Sequence, residues 1–337
     1  MEEVIIGSLE AGQRFDKFLQ KYLKDAGMGL IFKQLRKKNI TLNGKKSDGK
    51  DVLQAGDKIA FFFAKDTYDK FRGLESAGVQ NCFSDDTYRK AYRSIPEIEV
   101  IYEDDQILIL NKPVGVLSQK AKPADISANE WVIGYLLEKG DLLESSLSTF
   151  KPAVCNRLDR NTSGLLIAGK TMAGLQTMNR IIASREVHKF YHTIVKGQLK
   201  ESMLLEGYLK KEKATNKVTI QKTATKQEQE EGFVSIKTFY KPLEVYKGFT
   251  LLEIQLITGK PHQIRAHLAS IGHPILGDGK YGIPAWNEKY RKAGVQYQLL
   301  HACRLEFPVM DQADISGKVI SIDDPKLFEK ILQQGER

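Results

Sequence analysis

Apolar residues recur at helical spacing in two early stretches of the chain. Between Arg14 and Lys24 they fall at Phe15, Phe18, Leu19, Tyr22 and Leu23. Between Leu30 and Lys38 they fall at Leu30, Ile31 and Leu35. Both patterns predict amphipathic helices. Asn43-Gly44 marks a tight turn after Ile40–Leu42, and Gly56-Asp57 turns the chain into a strand over Ile59–Phe63. Residues 64–95 are polar and mixed in charge with little apolar period, which predicts a linker or a loosely packed extension.

The texture changes from Ile98 onward. Glu99 to Leu110 holds two strand-like runs around an acidic turn, and Asn111-Lys-Pro-Val-Gly115 closes the second with turn chemistry. Trp131–Glu138 predicts a helix, and Leu165–Ala168 is a continuous apolar run that suits a core strand. Ala173–Ser184 is helical in pattern, with Leu175, Met178, Ile181 and Ile182 on its apolar side, and Lys189–Val195 alternates like a strand. Further strands are expected over Val218–Ile220, Val234–Tyr240 and Phe249–Ile257, with Lys222–Glu231 as an exposed charged loop. A helix starts within Ile257–Leu268 and stops at Gly272. No internal repeat is present. Many strands with a few interspersed helices predict an α+β catalytic domain on a mixed or antiparallel sheet over 96–325, preceded by a small α/β module over 1–63.

The 337 residues suffice for two or three domains, and 42% apolar with 28% charged residues is an ordinary globular composition. The net charge of +9 favours polyanionic partners such as nucleic acid. That charge is concentrated. Lys33, Arg36, Lys37, Lys38, Lys45, Lys46 and Lys50 stand against Asp48 alone between residues 33 and 50, running from a helix end into a turn. A solvated helix face would account for some of these; the single sign and the placement fit a phosphate-tracking surface. The start lacks the basic and apolar regions of a signal peptide, and no stretch has the apolar length to span a bilayer. Three dispersed cysteines, Cys82, Cys155 and Cys303, fit a reducing cytoplasm better than a disulfide framework. No heptad stretch calls for a dimer, so a monomer is expected.

Three segments are candidates for chemistry. His262 and His267 are five apart, which suits neither face-sharing on a helix nor a metal site, so no metal is expected. Gly277-Asp-Gly-Lys-Tyr-Gly282 has dinucleotide-type glycine spacing. Ile283-Pro284 follows where the fingerprint needs a helix, so the segment reads as a turn and no cofactor is expected. Asp159 lies between Arg157 and Arg160, in a turn that runs into Leu165–Ala168. Such an Asp is either a turn former with surface ion pairs or a carboxylate held ionised by cations, available as a nucleophile.

Arg157-Leu-Asp-Arg-Asn-Thr-Ser-Gly-Leu-Leu166 resembles the signature of the RluA-type pseudouridine synthases, which isomerise uridine in ribosomal and transfer RNA. Tyr102-Glu-Asp-Asp through Leu110-Asn-Lys-Pro-Val-Gly115 resembles the family's first motif, and Lys189-Phe-Tyr191 its tyrosine motif. Thr258-Gly-Lys-Pro-His-Gln-Ile-Arg-Ala-His-Leu268 with Gly272-His-Pro-Ile-Leu-Gly-Asp278 resembles its third, and Leu300-His-Ala302 before Leu305-Glu-Phe307 its closing strand. Residues 14–63 resemble the alpha-L RNA-binding module of a ribosomal small-subunit protein, which family members acting on large-subunit ribosomal RNA often carry.

The resemblance implies that Asp159 is the catalytic aspartate and that Arg157 enters the RNA and helps hold the target nucleotide out of its stack. It implies that Tyr191 packs on the base and takes part in proton removal, as a phenolate or hydrogen-bonded, and that Arg265 pairs with Asp159. Arg160 and the basic residues Lys33, Arg36, Lys37, Lys38, Lys45 and Lys46 would meet RNA. No cofactor is implied. Asn156 departs from the family, which usually has His there. Three alternatives are an RNA-binding assembly factor without activity, a transfer-RNA synthase and, more remotely, a metal-dependent RNA hydrolase.

Overall fold

Two separate β-sheets organise the chain in a computed structural model that describes residues 1–73, 85–212, 217–311 and 313–336. The first sheet belongs to the N-terminal segment. It holds β1 (Glu2–Ile5), α1 (Phe15–Tyr22), α2 (Met28–Arg36), β2 (Ile40–Leu42), β3 (Lys58–Phe61) and α3 (Lys65–Arg72), with antiparallel strand order β1-β3-β2. The helical apolar pattern of the sequence becomes its core: Phe15, Phe18, Leu19, Ile31 and Leu35 pack on Ile40, Ile59 and Phe61. Asn43 and Gly44 both take positive φ, 49° and 73°, and Leu42 and Lys45 exchange backbone hydrogen bonds of 3.0 and 2.9 Å around them. This is the two-residue turn that the Asn-Gly pair predicts.

The remaining elements are α4 (Asp85–Ser94), β4 (Glu99–Glu103), β5 (Ile107–Lys112), α5 (Ala128–Lys139), β6 (Ala153–Val154), β7 (Ser163–Gly169), α6 (Met172–Ala183), β8 (His188–Lys196), β9 (Met203–Lys211), β10 (Val218–Gln221), α7 (Lys226–Glu230), β11 (Val234–Val245), β12 (Phe249–Leu256), α8 (Gln263–Ser270), α9 (Pro284–Arg291), β13 (Leu300–Glu306), β14 (Val319–Ser321) and α10 (Lys326–Leu332). Their sheet runs β10-β9-β11-β12-β8-β13-β7-β5-β4, with β14 on β13 and β6 on β7. All of its pairings are antiparallel except β13 with β7. The fold is therefore α+β on a mixed sheet.

Helices cover both faces of the sheet, which explains the unbroken apolar run at 165–168. Leu165 and Ile167 face Met178 and Ile181 of α6. Leu166 and Ala168 lie in the other core, with Trp131, Val132 and Leu136 of α5. The parallel junction needs a glycine: Gly164 has φ 111°, and a Cβ there would sit 2.2 Å from the Ala302 carbonyl oxygen. This contact fixes the turn before β7, which carries Asp159, at the parallel junction of β7 with β13.

Three expectations are corrected. Residues 64–95 are not a plain linker, since they carry α3 and α4. Much of the packing of these two helices is made by tyrosine rings, which a count of aliphatic residues misses. Tyr68 packs against Phe61 at 5.5 Å and shares a hydrogen bond of 2.7 Å with Tyr22. Tyr92 meets Trp131 of α5 at 5.3 Å, and Gly134 lets the two helix backbones approach, since a Cβ there would be 2.1 Å from the Tyr88 carbonyl oxygen. Residues 74–84, including Cys82, lie outside the described residues. The charged loop at 222–231 contains α7, which starts with a reciprocal cap between Thr225 and Glu228. A helix also follows Ile283, with Pro284 in its first turn, where proline's missing N–H does no harm.

Candidate active site

The turn between β6 and β7 is held rigid from several sides. The Ser118 hydroxyl accepts from the Leu158 N–H at 3.0 Å and donates to the Leu158 carbonyl at 2.9 Å. The buried Lys112 ammonium donates to the carbonyls of Pro113, Val116 and Arg160 at 2.9, 2.8 and 3.2 Å, so all three of its N–H groups tie one loop to the other. Burial pulls its pKa down to about 7, against the pull of the Asp159 charge. Asn156 accepts from the Ile167 N–H at 2.8 Å, so its carbonyl oxygen is spent on the turn itself.

Asp159 does not pair with the arginines beside it in sequence. Arg157 and Arg160 are exposed, while Asp159 Oδ2 accepts from Arg265 Nη1 at 2.8 Å across the cleft. Asp159 Oδ1 has no hydrogen-bond partner among the described residues. Arg265, from the first turn of α8, is buried and shared: its Nε and Nη2 donate to the two oxygens of Asp278 at 2.7 and 2.9 Å. Asp278 has no side-chain exposure and also accepts from the Lys280 and Tyr281 N–H groups at 2.8 and 3.0 Å. Burial alone would lower the Arg265 pKa, but the Asp278 and Asp159 carboxylates push it well above its ordinary value. Burial likewise works against the Asp278 anion, and Arg265 outweighs it. The result is a permanently charged guanidinium locked in place beside Asp159.

Tyr191 comes from the middle of β8, paired with Ile254 and Ala302, and is buried in the sheet core. Burial, with the nearby Asp159 charge second, pushes its phenol far above the ordinary value. The phenolate form considered for proton removal is therefore disfavoured; in this arrangement Tyr191 is a neutral phenol.

A cleft of about 870 Å³ opens over these residues. Asp159, Tyr191, Arg265, Arg157 and Arg160 all line it, so the sequence candidates of the catalytic segment converge. Six cationic side chains line the cleft (Arg157, Arg160, Lys189, Lys260, Arg265 and Lys280) against the single carboxylate of Asp159. Lys33, Arg36, Lys37, Lys38, Lys45 and Lys46 do not belong to it. They are exposed on the end of α2 and the β2 turn, and no ion pair engages them among the described residues.

Sequence reasoning misses Asp278, His262, Tyr281 and Lys112 as functional residues. Asp278 sits in a turn whose glycine spacing points away from chemistry. As a metal ligand His262 has no partner in sequence, yet its Nε2 lies 4.0 Å from Asp159 Oδ2. No group of His, Cys, Asp and Glu is arranged to hold a metal ion among the described residues. No helix among them is long and apolar enough to cross a membrane.

Residues 106–270 match the model of the RNA pseudouridylate synthase family. Over 300 residues the chain is 29% identical to a ribosomal large subunit pseudouridine synthase C of Vibrio parahaemolyticus, covering 88% of this chain and 85% of that protein. Over 330 residues it is 28% identical to the protein of the same name from Escherichia coli, covering 96% and 92%. In fold it is similar to human RNA pseudouridylate synthase domain containing 4, with a TM-score of 0.56, 19% identity and coverage of 76% and 98%.

Proposed function

This chain belongs to the RNA pseudouridine synthase family, enzymes that convert uridine to pseudouridine in RNA, and from that premise we propose that it acts on large-subunit ribosomal RNA with Asp159 as the attacking carboxylate. The observation that carries the assignment is the 2.8 Å pair between Arg265 and Asp159 Oδ2, in a cationic cleft, with Oδ1 left without a hydrogen-bond partner among the described residues.

The reaction breaks the N1–C1′ bond, turns the base and joins C5 to C1′; C5 loses a proton and N1 gains one. No electrons are exchanged. The base must leave its stack, which costs a few kcal/mol. Arg157, exposed at the cleft edge, fills the gap, and the Tyr191 ring stacks on the base, an interaction worth about 1–3 kcal/mol. Asp159 then either adds to C1′ or takes the C2′ proton to give a glycal. Both routes use the carboxylate as an anion, and the Arg265 guanidinium stands 2.8 Å from its Oδ2.

Residues 14–63 act in this account as an alpha-L-type RNA-binding module, and 96–325 as the catalytic domain. The six exposed cations at Lys33–Lys38 and Lys45–Lys46 support the first part, because unpaired surface cations are free to release counterions from phosphate. The large-subunit substrate is favoured by the names of the relatives, and a monomer acting in the cytoplasm completes the picture.

The test is pseudouridine mapping of ribosomal and transfer RNA from cells lacking the protein, complemented with wild type or Asp159→Asn. Loss of modification at one or a few large-subunit sites, restored by wild type alone, is expected. A site in transfer RNA overturns the substrate, and no changed site in either pool favours a binding factor.

A further inference from the structure

A directed chain of hydrogen bonds ends on His262, in the lining of the cleft. The Val218 N–H donates to Tyr281 Oη at 2.9 Å, and Tyr281 Oη lies 3.0 Å from His262 Nδ1. The phenol has one proton. If Nδ1 carried the imidazole proton and donated it to Oη, the phenol O–H would have no acceptor among the described residues. Donation from Oη to Nδ1 satisfies both groups, so the ring proton sits on Nε2. Burial first, with Arg265 and Lys280 adding to it, lowers the His262 pKa against the pull of Asp159 and Asp278, and keeps the ring neutral.

This Nε2–H has no hydrogen-bond acceptor among the described residues. The nearest carboxylate oxygen, Asp159 Oδ2, is 4.0 Å away and already takes Arg265. His262 also holds φ 55° at the N-terminus of α8, a left-handed backbone that a non-glycine residue rarely keeps without a reason. A strained residue thus aims a fixed donor into the cleft beside the nucleophile.

We propose that His262 is a catalytic residue whose Nε2–H donates to a carbonyl oxygen of the flipped uracil; this rests on Asp159 being the attacking carboxylate. When the N1–C1′ bond breaks, its electron pair moves onto the uracil ring and spreads to the carbonyl oxygens. A neutral imidazole N–H stabilises that anion by hydrogen bonding and does not transfer its proton. The difference matters because a protonated uracil would be a poor nucleophile at C5 and would be lost. The imidazole keeps its proton throughout, so the proton balance is that of the isomerisation itself. The same bond tethers the detached base while it turns.

The experiment compares wild type with His262→Phe, His262→Gln, Tyr281→Phe and Asp159→Asn. Total RNA from cells lacking the protein is the substrate, with enzyme in excess, and pseudouridine at the protein-dependent sites is followed in time. RNA binding and thermal melting are measured alongside. His262→Phe should slow the single-turnover rate about 10²–10³-fold, the usual loss for one anion-stabilising donor, with binding changed by no more than about threefold. His262→Gln, whose amide reaches a similar position, should recover part of that loss. A wild-type rate for His262→Phe with Asp159→Asn inactive overturns the role of His262 alone. A wild-type rate for Asp159→Asn overturns the site assignment beneath it. If His262→Phe melts far below wild type, Tyr281→Phe decides. Without the phenol proton the ring proton is no longer fixed on Nε2, and the rate should fall about tenfold, equivalent to ~1.4 kcal/mol. An unchanged rate in a folded Tyr281→Phe overturns the proposal.

Discussion

Asp278 grips Arg265 through two hydrogen bonds of 2.7 and 2.9 Å, and this places the third side of the guanidinium against Asp159. The pair is almost entirely buried, so breaking it leaves a charge with nowhere to go. Asp278→Asn should lower stability by about 3–5 kcal/mol in urea unfolding. It should also slow turnover more than it weakens RNA binding, because Arg265 loses its orientation. Arg265→Lys should fail as well: a single ammonium cannot serve both carboxylates. A fully active Arg265→Lys would show that only the charge matters and that the fork geometry does not.

Lys112 is a structural clamp within the site. Replacing it by Met leaves three carbonyls without their donor and slackens the turn that carries Asp159. Removing a buried group that satisfies others costs about 1–3 kcal/mol for each partner left unmet, so Lys112→Met should be among the most destabilising single changes in the chain. Calorimetry of Lys112→Met beside the exposed Lys318→Met makes the comparison; equal melting temperatures would contradict it.

Stability should fall on both sides of neutral pH, for opposite reasons at histidines of the neighbouring strands β8 and β13. His192 works against burial, and its two contacts of 2.9 Å to Asp324 raise its pKa to about 10. Its folded pKa lies above the unfolded value, so its contribution is complete below about 6.5 and is lost as pH rises through about 10. His301 is buried, its Nε2 has no hydrogen-bond partner among the described residues, and burial lowers its pKa to about 4. Here the unfolded chain binds the proton more readily, so stability is lost as pH falls from about 6.5 through about 4. Denaturant titrations across pH should show Asp324→Asn flattening the alkaline limb; no change in that limb would contradict the pairing.

The exposed cations of the N-terminal segment should act on binding through salt. Changing Arg36, Lys37 and Lys38 to Gln should weaken RNA binding. It should also reduce the slope of log K against log salt by about 0.7–0.9 for each phosphate that is no longer neutralised. Filter binding at three or more salt concentrations gives the slope. A slope equal to wild type would place the RNA elsewhere.

Much of the architecture is legible from periodicity. Apolar spacing marks α1, α2 and α6, and the run at Leu165–Ala168 marks the fully covered strand β7. What the pattern misses rests on surfaces it does not weigh. Tyr68, Tyr88 and Tyr92 bury α3 and α4 with rings that a hydropathy count treats as polar. A capping pair, Thr225 with Glu228, makes a helix out of a charged segment. In the site, Asp159, Tyr191 and Arg265 carry their identity in local motifs. Asp278, His262 and Lys112 also lie inside the motif stretches, but their roles are tertiary and the motifs do not state them. Arg265 and Asp159 are 106 residues apart in the chain, Lys112 and Arg160 48, and only the fold shows that a turn glycine pattern hides the carboxylate that holds the arginine.

The most direct measurement sets RNA binding and pseudouridine formation by Asp159→Asn side by side with wild type, on RNA from cells lacking the protein. Asn keeps the size of the side chain and removes the charge that Arg265 holds. Binding within about threefold of wild type, a difference of under ~1 kcal/mol, together with no pseudouridine is the expected result. Pseudouridine formed at the wild-type rate would contradict the claim that Asp159 carries the chemistry.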